Sequence, residues 1–426
     1  MKNSYILFLI FNLIPIPDSK AQSIVKTEIT NWVNKNCIPI KDVTAENGFE
    51  DLKPLDNLIG DATIVALGEC THGSSEIFSM KHRMLEYLVK EKGFTMFSIE
   101  ANMPEAYALN RYIINGEGDP KKLLAGMYFW TWNTQEVLDM IEWMKKYNDT
   151  SKMKIMFTGF DMQIPIVAVK IVRDFATIHQ PSLLSAINDY DTLYLGTDRR
   201  KDKKKSTGNQ LQEYAQLIID GFNTLQTTTG DTTFLWALQN SRILLQYAKS
   251  KNGKADRDES MAENVKWILD QNPKAKMVIW AHNQHLRKEK NKFGVIRMGD
   301  YLNKSFGDKY IAIATTTEQG TYTAVKKENG KFTGIDSANV LTEPDKNDIE
   351  YYFKQSKYEN FILDLRKSNS PFQNEKIMIR DIGAIANDKF QFVDSYLGKE
   401  YDMIIFLKKT SSSKCFSITH THKQME

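Results

Sequence analysis

Four short apolar runs, each closing on a glycine or a polar residue and linked by amphipathic helices, limit the fold more than anything else in this chain. The first covers residues 63–67, between Gly60 and Gly68. Residues 74–92 then carry Ile77, Met80, Met84, Leu85 and Leu88 at helical spacing before Gly93 resets the backbone. The second run is 94–99; after it Pro104 opens a helix, and Asn133 with Glu136 has the form of a capping box for another helix reaching Tyr147. The third run, 154–157, leads into Gly159-Phe160-Asp161, and the fourth, 277–281, is apolar throughout, as in a strand covered on both faces. Runs alternating with single helices predict βαβ units, and so an α/β fold with a mostly parallel central sheet flanked by helices. Further strands are expected at 310–314, 361–363 and 403–407.

Between residues 165 and 270 the pattern changes. Helical periodicity at 211–225 and 233–248 is interrupted by a charged run, 198–205, expected to be a solvated loop. The segment is predicted to be a helical insertion forming a second lobe on an α/β core made of residues 22–164 and 271–410, with 411–426 a flexible polar tail. At the N terminus, Lys2 precedes a 12-residue apolar run, too short to span a bilayer and broken at Pro15 and Pro17. Ser19-Lys20-Ala21 then places small residues where a signal peptidase requires them, so residues 1–21 read as a secretory signal peptide. Its removal takes away Lys2, Lys20 and Asp18 and lowers the net charge of +3 by one. The processed protein is expected in the periplasm or the medium, without a membrane span, since no later segment reaches the roughly 18 apolar residues a span requires.

Composition narrows the function classes. With 426 residues, 42% of them hydrophobic, the chain can bury a large core. Its 56 Lys and Arg against 53 Asp and Glu are too evenly balanced for a nucleic-acid binder that works by neutralising phosphates. Three cysteines, Cys37, Cys70 and Cys415, exclude a disulfide scaffold, and no C-x-x-C pair suggests a zinc ribbon or redox centre. A small-molecule partner fits this composition best.

In an open parallel sheet ligands bind where the strands end at their carboxyl side, because helix N-termini and unpacked loops converge there. The four runs end in Glu69-Cys70-Thr71-His72, in Glu100, in Asp161 and in His282-Asn283-Gln284-His285. A single strand-end carboxylate often caps the next helix, and a lone histidine usually sits satisfied in a core. Four such endings on one rim point instead to a polar active site. A neutral imidazole beside a carboxylate is the usual general base near neutral pH, which suits water activation by His72 with Glu69 and Glu100 in support. No G-x-S-x-G elbow, phosphate-binding loop or dinucleotide turn is present. Cys70 lacks the flanks of a thiolate nucleophile and is expected to be a buried structural thiol. Glu69-x-x-His72 with His282-x-x-His285 leaves a His/carboxylate metal site open as a second possibility.

At these residues the chain resembles the erythromycin esterase family. The resemblance lies in residues 67–74 (Leu-Gly-Glu-Cys-Thr-His-Gly-Ser), in Ile99-Glu100-Ala101, in Gly159-Phe160-Asp161, in the run from Arg257 to Asn264, and in Ile279-Trp280-Ala281-His282-Asn283-Gln284-His285. Weaker echoes follow at Met298-Gly299, at residues 380–384 and at Tyr401-Asp402. The resemblance implies hydrolysis of the macrolactone ester of erythromycin-type antibiotics on an α/β core with a mostly helical second lobe. It also implies that His72 is the general base, with Glu69 and Glu100 supporting the site and His282 and His285 lining it. Together with the strand-end cluster it leads to catalysis by His72, Glu69, Glu100 and His282 without a cofactor or metal, in which His282 or His285 stabilises the oxyanion or protonates the leaving alkoxide. His285, Asp161 and Lys81 are then candidates for contact with the macrolide. Lys81 is a departure, because the family commonly has Arg nine residues after the motif histidine, and the two are not equivalent in bidentate contacts. The expected protein is thus a monomeric, exported carboxylic ester hydrolase acting on a macrolide and water. The alternatives are a metal-dependent hydrolase of another ester and a non-catalytic exported binding protein.

Overall fold

A computed structural model describes residues 19–196, 205–225, 231–290, 293–328 and 330–416. The expected signal peptide lies outside these residues except for Ser19, Lys20 and Ala21, which begin the first helix, and so does the charged run up to residue 204. Among the described residues eleven strands are formed: β1 Cys37–Pro39, β2 Ile64–Glu69, β3 Met96–Asn102, β4 Met156–Asp161, β5 Met277–His282, β6 Tyr310–Glu328, β7 Lys331–Val340, β8 Asn360–Asp364, β9 Ile377–Arg380, β10 Phe392–Ser395 and β11 Met403–Thr410. The main sheet has the order β1-β8-β11-β6-β2-β5-β3-β4, with β7 paired to β6. Six successive strands of this order, from β11 to the edge strand β4, are mutually parallel, while β8 joins antiparallel and β1 pairs antiparallel with β8.

Helices α1 Ser19–Asn36, α2 Leu55–Ile59, α3 Ser75–Lys92, α4 Met103–Asn115, α5 Pro120–Ala125 and α6 Gln135–Thr150 accompany the first strands. Between β4 and β5 come only helices among the described residues, α7 Ile166–His179, α8 Leu184–Leu195, α9 Lys205–Asn223, α10 Thr232–Asn252 and α11 Arg257–Gln271 with one short 3-10 turn; α12 Asn283–Leu286 and α13 Met298–Phe306 follow β5. Alternation along the strands feeds two cores. Val65, Leu67, Val278 and Trp280 pack with α3 and α6 on one face, whereas Ile64, Ala66, Ile279 and Ala281 share the other with Val172, Ile187, Ile218, Leu244 and Val265 of the helical segment. The inserted helices therefore close one face of the sheet with a core continuous with it. Among the described residues no helix is long and apolar enough to cross a membrane, and the three cysteines are free.

Local chemistry shifts some boundaries. Thr134, not Asn133, caps α6, its hydroxyl accepting from the Val137 amide at 3.3 Å. Glu136 is used elsewhere, accepting from Ser75 Oγ at 2.6 Å and from the Lys414 amide. The run expected at 310–314 continues to Glu328 and turns back as β7, a hairpin whose exposed residues obscure its strand signal. Residues 411–416, expected to be loose, are held by backbone bonds: the Ser75 amide donates to Ser411, the Gln135 amide to Lys414, and the Phe416 amide to Asn133. Polar composition is no obstacle to order where each amide finds a partner.

Gly73 ties these parts together. Its carbonyl accepts from both the Thr323 and Ser413 amides at 2.9 Å, and a Cβ there would strike the Thr323 carbonyl. Gly73→Ala is expected to destabilise the fold by about 2–3 kcal/mol, through forced backbone displacement. Urea unfolding measures this, and a wild-type midpoint would contradict it.

Candidate active site

The strand order sets the geometry of the site. Because β5 lies between β2 and β3, Glu69 is the register partner of His282, and Ile99 of Trp280, so the ends of three strands deliver Glu69, His282 and Glu100 side by side. Glu69 is fully buried and accepts from two sides, from His72 Nδ1 at 2.7 Å and from the indole Nε1 of Trp280. Trp280 is itself locked by edge-to-face contacts with Phe78 and Trp132 at 4.7 and 5.2 Å between ring centroids. The His72 loop is pinned from outside by the Ile382 amide, which donates to the Cys70 carbonyl at 2.7 Å. The His72 and His282 rings lie 4.9 Å apart.

Glu100 holds the other half. One of its oxygens accepts from the His282 backbone amide at 3.0 Å and the other from Arg257 Nη2 at 2.7 Å. Arg257, in the first turn of α11, also forks onto Asp161 at 3.1 and 2.7 Å. Its neighbour Asp258 accepts from His285 Nδ1 at 2.6 Å, from the Met298 amide at 3.0 Å and from Arg297 at 3.0 Å. His285 Nε2 faces Glu100 at 3.4 Å and Arg257 Nη1 at 3.2 Å. His282 Nε2 donates to the Ile382 carbonyl at 3.2 Å, with Asp381 3.9 Å away. The side chains of His72 and His285 are 15% and 13% exposed, enough to meet a water that enters the rim.

These contacts separate the three imidazoles. Burial opposes protonation of all three. At His72 the hydrogen bond and charge of Glu69, with Glu100 behind, overcome burial and raise the pKa. At His282 burial prevails and lowers it. At His285 the carboxylates of Glu100 and Asp258 outweigh burial and raise the pKa to about 9. The Arg257 contact at Nε2 would suit a neutral ring, but two carboxylates outweigh one guanidinium. Burial likewise disfavours the Glu100 carboxylate, yet the charges of His285 and Arg257 hold its pKa well below the usual range.

Six of the seven residues singled out in the sequence converge here: Glu69, His72, Glu100, Asp161, His282 and His285. Lys81 does not. It points beneath the end of β2, where its ammonium donates to the Leu67 carbonyl at 2.8 Å and to the Gly68 carbonyl, and burial lowers its pKa to about 7. It braces the strand that carries Glu69. Asp161 meets Arg257 with both oxygens, so it faces a neighbour in the protein. Cys70 is fully buried, and burial pushes its thiol up to about 12. Arg257, Asp258, Arg297 and Trp280 carry the site equally but were given no role from sequence. Arg257 and Asp258 are the charged pair that opens α11 inside the run resembling the family, and Trp280 lies within residues 279–285, whereas Arg297 has no such signal. Among the described residues no group of three or more His, Cys, Asp or Glu side chains is arranged to hold a metal ion.

A parallel sheet whose rim bears histidine–carboxylate pairs, partly open to water, is an α/β fold with a site suited to acid–base chemistry. The chain belongs to the erythromycin esterase family, whose model matches residues 89–410. It is 25% identical over 425 residues to erythromycin esterase type II of Escherichia coli, covering 90% of this chain and 98% of that one. Among solved structures it is similar to a Bacillus cereus protein, with a TM-score of 0.80, 28% identity, and 92% of this chain and 99% of that one covered. An erythromycin esterase mutant, EreC in its open conformation, shares the fold at a TM-score of 0.65 and 17% identity, over 87% of this chain and 96% of the other. Family membership carries the broad assignment of an ester hydrolase.

Removing Arg257 strips the counter-charge from two buried carboxylates. Arg257→Ala is therefore expected to cost about 3 kcal/mol or more. A lowered urea midpoint checks this, and an unchanged midpoint would contradict it.

Proposed function

We propose that the protein opens the macrolactone ring of erythromycin-like antibiotics by hydrolysis, with His72 as the general base. The observation that carries this is the Glu69–His72 pair. The carboxylate holds Nδ1 as a donor, which leaves Nε2 with the lone pair that accepts a proton from water. The resulting hydroxide attacks the lactone carbonyl. His285, charged near neutral pH, supports the oxyanion and then gives its Nε2 proton to the departing alkoxide, leaving a carboxylic acid and an alcohol. His282 supports the reaction as a neutral ring: its Nε2 proton is engaged by the Ile382 carbonyl, so its Nδ1 can accept a hydrogen bond from the water that His72 activates. The E. coli relative named as an erythromycin esterase, matched over nearly its whole length, supports this substrate class. Under the same proposal residues 1–21 direct export and the processed protein works as a monomer without a cofactor.

Two measurements test the proposal. His72→Ala and His72→Gln should lower ring opening by about 10²- to 10⁴-fold, the usual contribution of a positioned base. Mass spectrometry follows the product heavier by one water, with and without chelator. Folded variants at near wild-type rate would remove His72 from the role, and loss of wild-type activity on chelation would replace it with metal-activated water. The pH dependence of kcat/KM should be bell-shaped. Activity falls at low pH as His72 takes up a proton at its raised pKa, and at high pH as His285 loses one near 9. A profile flat through the alkaline region would contradict the part given to His285.

A further inference from the structure

We infer that Asp258 is a positioning residue for this reaction: from the first turn of α11 it fixes the ring of His285 and keeps that ring in its charged form. The inference rests on the hydrolase proposal above. Asp258 is 1% exposed and fully engaged, with one oxygen shared between His285 Nδ1 and the Met298 amide and the other on Arg297. Its own amide donates to Asp256, which caps α11, so the side chain leaves a fixed backbone. Arg297 in turn holds Gln284 of α12 at 3.3 Å, and Gln284 holds Asp381, just after β9, at 2.8 Å, which ties the carboxylate to both segments.

The charges that face His285 come from several elements. Glu100 on β3 and Asp258 on α11 favour the imidazolium; Arg257 on α11 and His72 after β2 oppose it; Asp161 and Arg297 act from behind Arg257 and Asp258. Glu100 is already committed to Arg257 and the His282 amide. Without Asp258 the ring loses the carboxylate that meets its Nδ1 at 2.6 Å, and the Arg257 contact at Nε2 then suits a neutral ring that accepts from the guanidinium. Asp258 thereby joins Glu100 in holding a proton on His285, and it alone orients the ring through Nδ1. Asp258 does not reach the cleft itself, so it acts through His285.

The test uses the full chain with Asp258→Asn, Asp258→Ser and Asp258→Glu. NMR titration of the His285 ring, assigned by comparison with His285→Gln, needs no substrate. In the Asn and Ser variants the titration midpoint should fall by about one pH unit or more. The alkaline limb of kcat/KM on a macrolide should move down with it, and kcat should drop by about 10²-fold while KM changes little. Asp258→Glu, which keeps the charge, should restore the limb. Two small substitutions guard against a variant that does not fold. If either folded variant titrates His285 at the wild-type midpoint, the inference is wrong. A wild-type protein inert toward macrolides but with the NMR shift intact would remove the substrate proposal and leave the role of Asp258 standing.

Discussion

The insertion of β5 between β2 and β3 is the constraint on which the rest of the site depends. From β4 the chain reaches β5 only after the helices α7 to α11 among the described residues, and the strand then enters the middle of the sheet, so that the Glu69 and His282 positions become register partners. Parallel pairing gives all three strands the same polarity, and their carboxyl ends open on the same rim. Both faces of β5 are buried, which explains its continuous apolar sequence and makes its lateral position hard to change. Chemistry at the rim is thus positioned by the sheet rather than by mobile loops.

Burying several charges at such a rim is costly, and the structure offsets that cost by closing them into one network. Arg257 neutralises Glu100 and Asp161 together, and Asp258 and Glu100 bracket His285. The network crosses from the sheet to the helical segment at the first turn of α11, so the helices complete the site as well as covering the core. The same contacts separate the histidines, with His282 held neutral by burial and His285 charged by its two carboxylates. Groups of one kind with divergent protonation can take different parts at a single site.

Much of this was legible in the sequence. Apolar runs ending in Glu69, Glu100, Asp161 and His282 reveal parallel strands and a common rim, because burial on both faces leaves only strand ends free for polar residues. The order of strands is not written in any run, so the contact of Trp280 with Glu69 could not be read, although both residues lie in recognised motifs. Arg257 and Asp258 look like ordinary helix-start charges until Asp161 and His285 arrive opposite them. Lys81 shows the reverse: the family resemblance made it a candidate for contact with the macrolide, but from α3 its ammonium reaches under the end of β2. The ordered segment 411–416 escaped notice because its stability comes from backbone bonds to distant partners, which composition does not encode.

The most direct measurement is a crystal structure of His72→Gln with an intact macrolide bound. The mechanism predicts the lactone carbonyl carbon beside residue 72, within reach of a water held there, with its oxygen turned toward His285. A macrolide seated away from the β2, β5 and β3 ends, with its ester remote from both residues, would contradict it.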